Sequence, residues 1–64
     1  MIHQLSERKN HIIEELTKGY TVKEIASRNY ISPHTVDAHL KESKRKTGAK
    51  TLAHLASMFV KTLL

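Results

Sequence analysis

Apolar residues recur at helical spacing in four segments of the chain. In the first segment, Ile12, Ile13 and Leu16 share one helical face. Ser6 precedes this segment as an N-cap, and Gly19 follows it as a stop. The chain has only two Gly and one Pro, and each falls where a helix would begin or end. The pattern therefore predicts an all-α fold.

A short turn joins the second and third predicted helices. The capping box Thr21–Glu24 predicts a short helix that ends near Arg28. Ser32 and Pro33 then begin a third helix, and Gly48 ends it. A short helix joined to a longer one by so few residues is typical of a helix-turn-helix, in which the second helix of the pair can enter the major groove of DNA.

The third predicted helix has two contrasting faces. Val36, Leu40, Ser43 and Thr47 fall on one narrow arc, which we assign to the core. The two polar residues either thin the core or leave their hydroxyls to bond to backbone carbonyls. The opposite arc combines hydrogen-bond donors, an acceptor and one small residue, a set suited to close contact with base edges. This outward arc consists of His34, Asp37, Ala38, Lys41 and Arg45. A solvated helix surface is the alternative interpretation of the arc.

The fourth predicted helix, from about Thr51 to the end, has more apolar residues than one core-facing stripe needs. The predicted core stripe is Leu52, Leu55, Ala56, Phe59 and Leu63. A second apolar strip runs beside it and consists of Ala53, Val60 and Leu64. A domain this small cannot bury both strips, so we expect the second strip to pair two copies as a homodimer. Fraying of the helix end is the alternative.

Composition limits the function classes open to the chain. The 64 residues, 39% of them apolar, predict a single domain over residues 1–64, in which a substrate-sized pocket would compete directly with stability. The absence of Cys excludes disulfides, zinc–thiolate sites and thiol nucleophiles. No apolar run is long enough for a membrane span or a signal peptide. We therefore expect a cytoplasmic protein with no membrane association and no small-molecule ligand.

The charge of the chain indicates a polyanionic partner. Eleven Lys and Arg against six Asp and Glu give a net charge of +5. Residues 1–32 hold five basic and four acidic side chains, whereas residues 33–64 hold six basic and two acidic ones. The excess is concentrated between Lys41 and Lys50, as expected of a nucleic-acid-binding surface, although surplus lysine also serves solubility.

The five histidines and the remaining polar residues give no sign of catalysis. No two histidines stand four residues apart on a predicted helix, which argues against a zinc site. His39 is expected to pack beside the turn and bond to the backbone. Neither a Ser-His-Asp arrangement nor a Gly-rich phosphate loop can be assembled. We expect no enzymatic activity, no metal and no cofactor.

Several blocks of the sequence, in order, resemble the LuxR/NarL-type (GerE-like) helix-turn-helix DNA-binding domain. They run collinearly from Leu5 to about Ala56 as L-S-E-R, I-I-x-x-L, G-Y-T-V-K-E-I-A, I-S-P-H-T-V-D-A-H-L and K-R-K-T-G-A. The resemblance implies a four-helix domain whose third helix, about residues 33–47, contacts bases in double-stranded DNA. It also implies that the last helix pairs two subunits.

The resemblance assigns roles to individual residues. Asp37, Ala38 and Lys41 match positions from which the family contacts base edges, and Lys41 would donate toward guanine. The expected phosphate contacts are Lys23, Thr35, Lys44 and Lys46. An acid at position 37 departs from many relatives, as do the polar Ser43 and Thr47 in the core and Thr51 with Leu52 at the start of the last helix.

These observations predict a sequence-specific DNA-binding transcription regulator that acts as a dimer on repeated half-sites. One alternative is a protein-interaction module, such as an anti-activator, that pairs with a full-length relative through the last helix. A region-four-like sigma fragment is a further alternative. The sequence leaves open the target site, activation or repression, the inducing signal, and whether the chain is a complete regulator or a fragment.

Overall fold

A computed structural model describes all 64 residues and contains four helices and no strands. The predicted all-α class and the helix-turn-helix are confirmed. The helices are α1 Glu7–Thr17, α2 Val22–Arg28, α3 Pro33–Thr47 and α4 Leu52–Lys61.

Side-chain caps begin both helices of the helix-turn-helix. The Thr21 hydroxyl accepts a hydrogen bond from the Glu24 backbone N–H at 3.2 Å, and the Glu24 carboxylate accepts one from the Thr21 N–H at 2.8 Å. The Ser32 hydroxyl accepts from the Thr35 N–H at 3.1 Å, with Pro33 in the first turn of α3. Each bond satisfies a backbone donor that has no partner inside the helix. The cap residues therefore fix where α2 and α3 begin.

The turn between α2 and α3 contains a strained residue. Tyr30 has a φ of 58°, the left-handed region that L-residues other than Asn and Asp seldom occupy. The residue is 95% exposed, so no packing of the side chain compensates the strain. The left-handed backbone conformation at Tyr30 allows the chain to reverse within a few residues, so that α3 packs against α2.

Every helix contributes at least one fully buried side chain to a common core. Ile12 and Ile13 come from α1, Ile25 from α2, Val36 from α3 and Leu55 from α4. Burial of one such side chain contributes about 1.5–3 kcal/mol. The α3 member lies on the arc assigned to the core, and its burial leaves the opposite arc facing outward.

The two polar residues on the core face of α3 donate their hydroxyls to backbone carbonyls, one of the two outcomes that the sequence left open. Ser43 is fully buried and donates to the His39 carbonyl at 2.7 Å. Thr47 donates to the Ser43 carbonyl at 2.8 Å. No buried side-chain polar atom in the structure lacks a hydrogen-bond partner, so the two hydroxyls carry no unsatisfied group into the core.

Helix α4 differs from the prediction at its end. The helix stops at Lys61, where Thr62 acts as C-cap and its hydroxyl donates to the Phe59 carbonyl at 2.6 Å. Leu63 therefore lies beyond the helix and is 64% exposed, so its assignment to the core stripe was wrong. Leu55 and Phe59 are buried as predicted.

Asn10 ties the segment before α1 to the rest of the fold. Its buried side chain accepts a hydrogen bond from the Ile2 backbone N–H at 2.6 Å and donates to the carbonyls of Ile2, Leu5 and Ser6. Ile2 and Leu5 are buried in the core as a result.

Candidate nucleic-acid interface

The structure brings the five residues of the outward arc together on one open face of α3. His34, Asp37, Ala38, Lys41 and Arg45 are all exposed. The first four line a single shallow depression on the helix surface. Helix α4 does not cover this face. The small Ala38 side chain is one of the four that line the depression and gives a ligand close access to the helix.

Asp37 and Lys41 also face the start of α4. Together with Lys44, they line a second depression whose apolar floor is formed by Leu40 and Leu52. Neither the Asp37 carboxylate nor the Lys41 ammonium forms an ion pair within the protein. Both charges are consequently available to a ligand that approaches α3 from outside.

Arg45 is already engaged within α3. Its Nε and Nη2 donate to the two oxygens of Glu42 at 3.0 and 2.5 Å. The hydrogen bond from Arg45 holds the pKa of Glu42 below its usual range, and the same bond raises the pKa of Arg45. Of the five residues on the outward arc, Arg45 alone would have to break such a pair before it contacted a base.

The four expected phosphate contacts lie at different places around α3. Lys23 is exposed in the first turn of α2. Thr35 is partly buried beside the Ser32 cap, 2.9 Å from the Ser32 hydroxyl. Lys44 and Lys46 lie on opposite flanks of α3, since two residues along a helix turn by about 200°. The structure therefore does not gather these four residues into one cluster, and their roles stay predictions.

The basic end of α3 also has a structural role. Lys44, Arg45 and Lys46 form the last turn before Gly48, whose φ of 77° ends the helix in the left-handed region. Cations in a last turn interact favourably with the negative end of the helix dipole. The charge excess near residue 45 thus stabilises the helix as well as suiting a polyanion.

Nothing in the sequence indicated an ion pair between the buried Glu15 carboxylate and the half-exposed Arg28. Glu15 on α1 is 1% exposed, and its carboxylate accepts hydrogen bonds from Arg28 Nε and from Asn29 Nδ2, the latter at 2.6 Å. His11 Nε2 lies 3.2 Å from the same carboxylate. The Arg28 guanidinium in turn stacks over the Tyr20 ring, 4.2 Å from its centre.

The Glu15 network joins α1 to the last residue of α2 and the first residue of the turn. Burial raises the pKa of Glu15, but the hydrogen bonds from Arg28 and Asn29 and the charge of His11 outweigh it, so the pKa is lowered overall. The carboxylate is therefore charged in the folded protein at neutral pH. It holds the turn that precedes α3, and so positions α3 without contacting any ligand.

The predicted hydrogen bond between the His39 side chain and the backbone is absent, so this prediction was wrong. Its partly buried ring extends from α3 toward α1, where Nδ1 lies 3.4 Å from Lys9 Nζ. Inside a helix the nearby backbone groups are already paired, so the ring takes a partner from the neighbouring helix. Burial lowers the pKa of His39, and the charges of Lys9 and Arg8 lower it further.

No group of three or more His, Asp or Glu side chains is arranged to hold a metal ion. None of the four helices combines the length and the apolar character that crossing a membrane requires.

Comparison with known proteins identifies one related group. The model of the GerE family, described as bacterial regulatory proteins of the luxR family, matches residues 3–59. The matched region contains α1, α2, α3 and most of α4. No match was found among curated proteins or among solved structures. The family match confirms the resemblance drawn from the sequence motifs.

Proposed function

Because the chain belongs to the luxR family of bacterial regulatory proteins, we propose that it regulates transcription by binding a specific sequence in double-stranded DNA through α3. The observation that carries the proposal is the outward arc of α3, which is exposed, polar and uncovered by α4. Val36 on the opposite side is fully buried, so the helix is fixed in orientation while this face remains accessible. Such a regulator acts where the chromosome lies, in the bacterial cytoplasm.

Each residue of the outward arc has a chemical role in base readout. Lys41 donates toward N7 and O6 of guanine, and Ala38 lets the helix approach the base edges. Asp37 accepts from cytosine N4 or repels phosphates at wrong sites. His34 and Arg45 extend the readout at the two ends of the arc, Arg45 after it leaves Glu42.

Phosphate contacts place α3 in the groove and supply most of the affinity. Lys23 reaches the backbone from α2, and Thr35 does so from the start of α3. Lys44 and Lys46 lie on opposite flanks of α3, an arrangement that suits the two strands bordering a major groove. These contacts are independent of base sequence, and base discrimination comes from the outward arc.

Dimerisation through α4 would give the protein two recognition helices. Ala53 and Val60 are exposed on α4, Val60 by 41%. Leu64 is 98% exposed and lies beyond the end of the helix at Lys61, so it does not continue the strip as the sequence predicted. A second copy that packs on this strip would bury it and place two α3 helices against half-sites about one DNA turn apart.

Selection of bound sequences from a random pool of duplex DNA tests the proposed function. We expect enrichment of one motif, with two copies at fixed spacing if a dimer binds. Binding of the selected duplex should exceed binding of unrelated duplexes at physiological salt by at least about 1,000-fold. Recovery of no motif, with equal affinity for every duplex, would refute sequence-specific binding.

The exposed α4 strip also favours a second candidate function. An interaction module that pairs with a full-length relative would use Ala53, Val60 and Leu64 on a different partner. Such a module would bind duplex DNA only weakly and without sequence preference. The same selection at physiological salt therefore separates the two functions.

A further inference from the structure

A basic patch lies on the flank of α3 that faces α1, outside the outward arc. We name it the α1-facing patch, and its members are Arg8, Lys9, His39, Glu42 and Lys46. Lys9 Nζ contacts His39 directly. The charges of Arg8 and Lys9 act on His39, and those of Lys9 and Lys46 act on Glu42. The five side chains therefore form one neighbourhood that two helices share.

The contact between Lys9 and His39 is unusual because both groups tend to carry positive charge. A lysine ammonium has only donors, so His39 Nδ1 must be the acceptor at 3.4 Å. The imidazole is then neutral and carries its proton on Nε2. Nε2 makes no hydrogen bond within the protein, so this N–H of the partly buried ring remains free to donate to a ligand.

The single acid in the patch is already neutralised. Both oxygens of Glu42 accept hydrogen bonds from Arg45, which belongs to the outward arc. The charges of Arg8, Lys9 and Lys46 therefore remain in excess on this flank. Neighbouring cations without a free acidic partner in the same patch are expected at a site that binds an external anion.

The position of the patch on α3 identifies the anion. Thr35, His39 and Lys46 share a flank of α3, about 120° around the helix from the centre of the outward arc. A helix that turns one face to the bases turns its flanks to the phosphates that border the groove, which is about 12 Å wide. His39 and its partners on α1 thus continue the line between two residues already expected to contact phosphate.

We propose that the α1-facing patch binds the phosphate backbone of the DNA strand on that side of the groove, with Lys9 and Arg8 supplying charge from α1 and His39 Nε2–H supplying a hydrogen bond. Lys9 has two functions in this site, since it contacts phosphate and fixes the proton of His39 on Nε2. The proposal rests on the proposed function, because it assumes that the outward arc of α3 faces bases. It adds α1 to the DNA-binding surface.

The test is equilibrium binding to the selected duplex and to an unrelated duplex over a series of salt concentrations. We expect Lys9→Ala to weaken binding to both duplexes by similar factors and to reduce the slope of log affinity against log salt by about 0.9. Between about 50 and 200 mM salt, the parent should then lose about 3.5-fold more affinity than the variant. Lys9→Arg should retain the parental slope.

Controls separate a phosphate contact from a loss of structure or of total charge. Lys18→Ala, at the exposed far end of α1, removes the same charge and should leave the slope unchanged. His39→Gln keeps a donor close to the position of Nε2 and should bind better than His39→Phe. Helical content and thermal stability measured by circular dichroism should match those of the parent.

Three outcomes would overturn the proposal in different ways. If the parent binds duplex DNA and Lys9→Ala has the parental salt slope, α1 makes no phosphate contact and the proposed function stands. If the parent binds no duplex DNA even at low salt, the proposed function is wrong and this site is wrong with it. An equal loss of slope in Lys18→Ala would also contradict a site at Lys9.

Discussion

The Asn29 side-chain amide donates to the Glu15 carboxylate at 2.6 Å and to the Ile25 carbonyl at 2.7 Å. One residue thus joins α1, the end of α2 and the turn that leads into α3. Arg28 adds an ion pair to the same carboxylate from the last turn of α2. The orientation of α3, and with it the proposed base readout, depends on a charge that never faces DNA.

The Glu15 network predicts a specific loss of stability in acid. The folded-state pKa of Glu15 is below its ordinary value, so the stabilisation is complete above that ordinary value and disappears as pH falls through the folded-state pKa. Glu15→Gln should lower the free energy of unfolding at pH 7 by about 1–3 kcal/mol. Urea denaturation at a series of pH values from about 7 to about 3 should show a smaller acid loss in the variant.

A neighbouring residue on α1 provides the control for Glu15. Glu14 is 42% exposed and lies 3.9 Å from His11, without a partner on α2. Glu14→Gln should therefore leave the free energy of unfolding nearly unchanged at every pH. Parallel pH dependences for Glu15→Gln and the parent would show that the buried network does not govern acid stability.

The outward arc predicts two variants that lose specific DNA binding and keep the fold. Lys41→Ala removes a donor to guanine. It should weaken the free energy of binding to the selected duplex by about 1–3 kcal/mol relative to binding of unrelated DNA. Ala38→Glu places a longer, acidic side chain in the lining of the depression and should weaken binding further. Both residues are exposed, so far-ultraviolet circular dichroism should be unchanged. Parental affinity of both variants for the selected duplex would refute the assignment of α3.

The phosphate role of Lys23 predicts a loss that is independent of base sequence. Lys23→Ala should weaken binding to the selected and the unrelated duplex about equally. It should also reduce the slope of log affinity against log salt by about 0.9, the value for one phosphate contact. The side chain is exposed and outside the Thr21–Glu24 capping bonds, so helix α2 should persist. Titration of both duplexes at several salt concentrations measures the effect. A slope equal to that of the parent would show that Lys23 makes no phosphate contact.

Local signals explain why the helices could be predicted from sequence. A cap such as Ser32 and a stop such as Gly48 act within a few residues, so the residue types alone indicate where α3 begins and ends. The burial of Val36 and Leu40 followed from helical spacing in the same way. The outward arc was predictable because it is simply the face opposite these two residues.

Contacts between helices could not be predicted in this way. Glu15 and Arg28 are separated by 13 residues, and Lys9 and His39 by 30. Glu15 next to Glu14 looks like a solvated acidic pair, and nothing in its spacing indicates that one of the two is buried. The prediction that Leu63 lies in the core failed for a related reason. No strong stop residue marks the end of α4 in the sequence, and the cap at Thr62 depends on its bonds to Phe59.

The exposed strip on α4 predicts that Val60 governs dimerisation. Val60→Gln places an amide on the apolar strip and should shift the free protein, or its complex with the selected duplex, from two protomers toward one. Lys61→Gln is the matched control, since it introduces the same side chain at the next residue, about 100° around the helix and outside the strip. Sedimentation of the protein with and without the selected duplex counts the protomers. One protomer per site in the parent would exclude a homodimer, and two protomers in Val60→Gln as in the parent would place the contact elsewhere.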